Sequence, residues 1–260
     1  MTENRAETHE LFRHRRVASG YAMSRPYLHP DVFARVRALL PRDEPFARAL
    51  DVGCGTGMSS VALLALASEV IGVDASREML RESRRQAGVR YVACTAETIP
   101  FADGAFDLVV ACGSMDWIDR QQFMPRASRL VAPGGWLVSL DFGDTGRSPD
   151  VPRLAGWYDT VFQGRYPRPP ARDPMLTAEE ATPHGFEAPL HLEFAMPCAF
   201  TPRGYAAFLM TESNVVAAVE YGSEREDGVR RWLEREIQPL FEDQAHWLTF
   251  AGYIQALRRR

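Results

Sequence analysis

The chain has 260 residues, 46% of them hydrophobic, which is enough for one substantial core. Its net charge of −4 argues against the broad basic face that a phosphate backbone requires, so nucleic acid is not an expected partner. All 30 basic residues are arginine, a composition that fits a GC-rich bacterial genome and rules out Schiff-base and lysine-base chemistry.

Four cysteines (Cys54, Cys94, Cys112 and Cys198) lack C-x-x-C spacing and read as reduced thiols rather than zinc ligands or disulfides. No stretch approaches the length of a membrane span, and Met1–Arg16 lacks an apolar leader core, so a cytoplasmic chain without a membrane partner is expected. The short basic runs at Arg13–Arg16 and Arg258–Arg260 read as solvated ends.

In chain order, a polar segment ends in Tyr21, Arg25, Pro26 and Tyr27. After Pro30-Asp31, the residues Val32, Phe33, Val36, Leu39 and Leu40 share one helical face, which Pro41 and Pro45 close. Strands follow near 47–52, 70–74, 89–93, 106–112 and 135–141, with helices between them. Ser76 is a plausible N-cap for a helix over Arg77–Ala87, stopped by Gly88. This alternation predicts a parallel, doubly wound sheet.

The pattern changes after Asp141. Ten of the 18 prolines fall between Pro149 and Pro202, among Trp157, Tyr158, Phe162 and Tyr166. Proline removes amide donors, so this stretch is expected to be irregular and to serve as a substrate cap, with a plain structural insertion as the competing reading. Order returns with a strand at 190–200, helices at 201–213 and 225–240, and a last strand at 246–257.

The run Leu50-Asp51-Val52-Gly53-Cys54-Gly55-Thr56-Gly57 reads as a buried strand and a glycine loop opening a helix. Glycines admit positive φ and close approach of a ligand, and the helix start would offer free N–H groups. Val70–Val73 ends in Asp74, a carboxylate able to accept two hydrogen bonds from a ribose diol. The pattern signals a nucleoside cofactor. A dinucleotide fingerprint needs G-x-G-x-x-G, but Met58 stands at the third glycine's place, which argues against a nicotinamide-dependent oxidoreductase.

Leu50–Gly57 and Val70–Ser76 closely resemble motif I and the acidic strand of class I S-adenosylmethionine (SAM)-dependent methyltransferases. Thr95–Val109 and the turn Leu130-Val131-Ala132-Pro133-Gly134-Gly135 continue the resemblance in the family's order, toward its small-molecule branch of UbiE and trans-aconitate methyltransferase type. The match covers roughly residues 21–143. It implies an α/β fold with a doubly wound, mostly parallel seven-stranded sheet, the last strand antiparallel, and an inserted cap after strand five. The expected organisation is a single domain over 1–260, with a helical lid (1–45), a SAM-binding core (46–143), a cap (144–200), and C-terminal helices with the last strand (201–260).

Carried over residue by residue, the resemblance implies that Asp51 and the loop Gly53, Cys54, Gly55, Thr56 and Gly57 face the methionine part of SAM. Asp74 would take the ribose, with Ala75 and Met79 beside the adenine. Ala96 and Glu97 would flank the base, and Thr95 stands where the family has an Asp that accepts from the adenine amino group. Cys112 and Gly113 would lie beside the sulfonium, and Tyr21 and Arg25 would close the site.

The turn Cys112–Ile118 lacks the Asp/Asn-Pro-Pro-aromatic motif of base-methylating relatives. Asp116 sits where a general base could serve, with helix capping as its alternative, and Trp117, Trp157 and Tyr158 could wall a substrate pocket. His184 and His191 are further candidate bases. Asp116 and Asp141 alone are too few for a metal, so none is expected. The expected activity is methyl transfer to an oxygen or nitrogen of a small metabolite, leaving S-adenosylhomocysteine (SAH). Alternatives are the oxidoreductase and a SAM-binding scaffold or rearrangement catalyst on the same fold. No oligomeric state follows from the sequence.

Overall fold

The computed structural model describes residues 14–42, 44–168, 175–222 and 224–260. It holds a seven-stranded sheet in the order β3-β2-β1-β4-β5-β7-β6. The strands are β1 (Phe46–Val52), β2 (Ala67–Asp74), β3 (Val89–Ala93), β4 (Phe106–Cys112), β5 (Val131–Arg147), β6 (Leu190–Phe200) and β7 (His246–Arg258). β1 pairs in parallel with β2 and β4, β2 with β3, and β4 with β5. β7 runs antiparallel to β5: Arg259 N donates to Gly135 O, and Thr145 Oγ1 donates to Thr249 O. The chain order reverses between β1 and β4, and the carboxyl ends of strands beside such a switch point form a natural crevice.

Two compact units divide the chain. The larger comprises Tyr27–Asp141, Arg172–Glu193 and Gly252–Arg260; the smaller comprises Met1–Pro26, Phe142–Ala171 and Phe194–Ala251. These boundaries cut across the expected lid and cap segments.

In the larger unit, β1 is buried from Ala49 to Val52, as a central parallel strand covered on both faces must be. Leu50, Val52, Ile71, Val109, Leu137 and Phe123 join one continuous apolar cluster. In the smaller unit, helix Glu226–Phe241 buries Val229, Leu233, Ile237 and Phe241, a stripe at four-residue spacing.

Three expectations need correction. The helix over 77–87 ends at Arg81, because the Arg84 amide donates to Thr56 O (3.0 Å) and the Tyr91 hydroxyl donates to Arg84 O (2.7 Å), diverting that backbone from a helical ladder. β5 runs well past 141, to Arg147.

The stretch expected to be irregular instead contains a helical segment: Arg153–Gly156, a π-turn over Trp157–Phe162, and Gln163–Arg165. Prolines flank this segment but none lies within it, so its ladder is intact. Pro169, Pro170 and Pro174 of that stretch lie outside the described residues.

Candidate functional site

The carboxyl end of β1 delivers Asp51 into complete burial. Its Oδ2 accepts hydrogen bonds from Ser59 Oγ and Ser60 Oγ, both at 2.6 Å. Its Oδ1, equally buried, meets no partner. Burial pushes the carboxyl up to about 6, with the charge of Asp74 adding to the rise and the two serine bonds opposing it.

The glycine loop that follows is compact. Gly53 (φ +72°) and Gly57 (φ +75°) need the left-handed region. A Cβ on Gly53 would lie 2.5 Å from Ser114 Cβ, and one on Gly57 would overlap the Tyr91 hydroxyl. Gly53 N and Cys54 N donate to Val73 O, Gly55 N to Asp74 Oδ2 (2.8 Å), and Gly57 N to Cys54 O. The amides of Gly53, Cys54, Gly55 and Gly57 thus have acceptors within the fold. The helix beyond is short, Met58–Ala62. Thr56 Oγ1 is buried without a partner.

Asp74, at the end of β2, also accepts from Ser76 N through Oδ1 (2.7 Å). Each carboxylate oxygen keeps a second lone pair, so these bonds leave acceptor capacity. Ala75 is exposed, and Met79 is buried in the short helix that Ser76 caps. Thr95 is exposed and shares a hydrogen bond with the Thr98 hydroxyl (3.0 Å). Ala96 and Glu97 open a 3-10 turn, and Glu97 Oε1 accepts from Asp119 N (3.1 Å), joining that turn to the start of helix Arg120–Leu130.

At the end of β4, burial raises the Cys112 thiol, with the charges of Asp51 and Asp141 adding to it, so the thiol stays protonated. Gly113 is exposed, and a Cβ there would lie 3.2 Å from Asp141 Oδ1. Ser114 Oγ donates to Val52 O (2.6 Å), pinning this loop to the end of β1. Asp116 is exposed and Trp117 half-buried. The helix is capped by Asp119, whose Oδ1 accepts from Gln121 N, so capping does not account for Asp116.

His184 lies elsewhere. Its carbonyl accepts from Ser128 Oγ and Arg259 Nη1, and Arg259 pairs with Gly135 at the amino end of β5, the opposite end of the sheet from the glycine loop. His191 approaches Glu193 (3.6 Å). Among the described residues, no cluster of three or more His, Cys, Asp or Glu could hold a metal ion, and no helix is long and apolar enough to cross a membrane.

Tyr21, Arg25, Trp157 and Tyr158 belong to the smaller unit. Arg25 lies over the Tyr21 ring, donates to Thr211 O (2.8 Å) and pairs with Glu212. Trp157 and Tyr158 are buried. Trp157 stacks on Phe162 and Trp232, and the Tyr158 hydroxyl accepts from Arg168. Both side chains pack within the helical segment Arg153–Arg165 and against Trp232 and Arg168.

Residues 50–139 match the family model described as "Methyltransferase domain". The chain is 34% identical over 125 residues to demethylmenaquinone methyltransferase of Clavibacter sepedonicus, covering 46% of this chain and 49% of that protein. It is 42% identical over 95 residues to malonyl-[acyl-carrier protein] O-methyltransferase of Enterobacter lignolyticus, covering 36% and 38%. The chain thus spans half or less of the length of these curated relatives.

A solved structure from Anaeromyxobacter dehalogenans, provisionally described as a type II methyltransferase, shares the fold. It aligns with a TM-score of 0.66 and 22% identity over 88% of this chain and 95% of that one. Residues 50–139 therefore carry the methyltransferase-domain match, and the solved structure shares the fold of the chain.

Proposed function

We infer that this chain binds SAM in the crevice at the carboxyl ends of β1, β2 and β4 and transfers its methyl group to an oxygen or nitrogen of a small molecule. The observation that carries the reading is Asp51 Oδ1, a fully buried carboxylate oxygen without a partner directly before the glycine loop. Such an atom is costly to leave unpaired, and an ammonium group, which the methionine part of SAM carries, would satisfy it. The left-handed turns at Gly53 and Gly57 keep side chains out of the same space.

In this reading Asp51, Gly53, Cys54, Gly55, Thr56 and Gly57 hold the methionine part. Asp74 accepts from the ribose hydroxyls beside Ala75 and Met79. Thr95, Ala96 and Glu97 border the adenine, and Cys112 and Gly113 border the sulfonium. When bound, SAM supplies an activated methyl: an acceptor lone pair takes the carbon as the carbon–sulfur bond breaks and its electron pair stays on sulfur. The protein's own work is alignment, exclusion of water and removal of a proton, for which Asp116 is the candidate base and Trp117 a candidate wall.

The test is calorimetric titration of the protein with SAH and with NADH, then incubation with radiolabelled SAM and fractionated cell extract. SAH binding and label in a small organic compound support the reading. Binding of NADH alone would overturn the cofactor, and label confined to RNA would overturn the substrate class.

A further inference from the structure

Gly72 stands inside β2, a position where glycine weakens a strand and marks a close approach by another group. A Cβ there would lie 2.7 Å from Ser60 Oγ, 2.8 Å from Tyr91 Cδ1 and 2.9 Å from Cys54 Sγ. Gly72 is also the register partner of Tyr91 on β3. The missing side chain makes room for the Tyr91 ring to lie across β2 toward the loop that follows β1.

The far end of the ring arrives at that loop. A Cβ on Gly57 would overlap the Tyr91 hydroxyl and lie 2.8 Å from Cζ, and the three atoms it would meet first all belong to Tyr91. The phenol is thus packed against the bare Cα of a turn held at φ +75°.

The hydroxyl has a second contact. It donates to Arg84 O (2.7 Å), and the Arg84 amide donates to Thr56 O (3.0 Å). Arg84 is therefore a main-chain bridge, with its carbonyl held from β3 and its amide holding the residue before Gly57. Its guanidinium lies over the Tyr27 ring (4.1 Å), which anchors the bridge from a third side. The Thr56 hydroxyl is buried without a protein partner, so that residue is oriented through its carbonyl. One tyrosine acts on two successive loop residues, on Gly57 by contact and on Thr56 through Arg84.

We propose that Tyr91 is a positioning residue for the cofactor site, wedging Gly57 in its turn and holding Thr56 through Arg84. This rests on the SAM-dependent reading above and deepens it. A loop that is binding-competent for only a fraction of the time binds its ligand more weakly by that fraction. The brace keeps the fraction near one, and the ligand meets a turn already in shape.

Calorimetric titration with SAH, paired with hydrogen–deuterium exchange, tests the proposal. Tyr91→Phe keeps the ring against Gly57 and Gly72 but loses the bond to Arg84 O. It should weaken SAH binding about three- to tenfold, the range that one hydrogen bond supplies. Without ligand, the Arg84 and Gly57 amides should exchange faster in this variant than in the native protein, and saturating SAH should restore the native rate. Gly72→Ala, which retains Tyr91 but displaces its ring, should weaken SAH binding in the same direction. Tyr205→Phe is the control: it removes a buried phenol bond in the smaller unit and should lower stability in urea with SAH affinity unchanged.

Tyr91→Phe that is less stable in urea yet binds SAH as the native protein does would make Tyr91 merely structural and overturn the proposal. If that variant does not fold, native affinity in Gly72→Ala overturns it instead. An equal loss of SAH affinity in Tyr205→Phe, or loop exchange in Tyr91→Phe that SAH leaves unaltered, also overturns it. Each of these outcomes leaves the cofactor reading intact, whereas failure of the native protein to bind SAH overturns both.

Discussion

Replacing Asp51 by Asn probes the site at its most constrained atom. The Asp51 carboxyl titrates at about 6 in the folded protein against 3.8 in a model chain, because it is buried away from water. Between those two values the folded state holds a proton that the unfolded chain has lost. Stability is therefore fully present below about pH 4 and is lost as pH rises through about 6. A rise of about two units, at ~1.36 kcal/mol each, makes the loss about 3 kcal/mol.

In urea denaturation, the unfolding free energy of the native protein minus that of Asp51→Asn should fall by about 3 kcal/mol between about pH 4 and pH 7.5. Parallel curves for the two proteins would refute an ionisable carboxyl in a dry environment. The ligand side follows from the same titration. Only ionised Asp51 attracts an ammonium, so SAH affinity should rise with pH over that interval in the native protein and stay flat in the variant.

Three other substitutions test further contacts, two at the glycine loop and one within the smaller unit. Gly57→Ala should cost about 1–2 kcal/mol for the left-handed backbone and about 1 more for dislodging the Tyr91 hydroxyl from Arg84 O. In a Tyr91→Ala background, urea melts should show only the first part, and an undiminished cost there would contradict the packing described. Asp74→Ala should abolish detectable SAH binding by calorimetry and lower stability by about 1–3 kcal/mol, since Gly55 N and Ser76 N lose their acceptor; unchanged affinity would contradict the ribose assignment. Tyr205→Phe removes the hydroxyl that donates to Asp144 Oδ2 (2.6 Å). Burial already pushes Asp144 up to about 6, so losing the donor raises it further. The destabilisation should be about 1–3 kcal/mol near pH 8 and smaller near pH 5, where Asp144 is protonated. A pH-independent loss would count against that account.

What could be read from the residues follows from which interactions are local. β1, β2 and β4 carry apolar runs with glycine or acid at the carboxyl end, a signature written within one strand and its turn. Asp51, the glycines and Asp74 were visible for the same reason. The cap of helix Arg120–Leu130 was missed because Asp116 and Asp119 are chemically equivalent candidates three residues apart. Only the backbone geometry that turns the Gln121 amide toward Asp119 separates them.

Trp157 and Tyr158 were placed by composition, and composition averaged over a proline-rich window hid the uninterrupted ladder between Pro152 and Pro167. Gly57 and Tyr91 lie far apart in the chain. Their contact depends on the register of neighbouring parallel strands, a property of two strands together that neither contains alone.

A glycine turn whose amide hydrogens are already bound inside the fold has a further consequence for turnover. Such a turn is preorganised, so little conformational entropy is lost when a ligand arrives and little is regained when one departs. The demethylated product would then leave without waiting for the main chain to rearrange. The turn's amides should also exchange with solvent deuterium at nearly the same slow rate in the presence and absence of ligand.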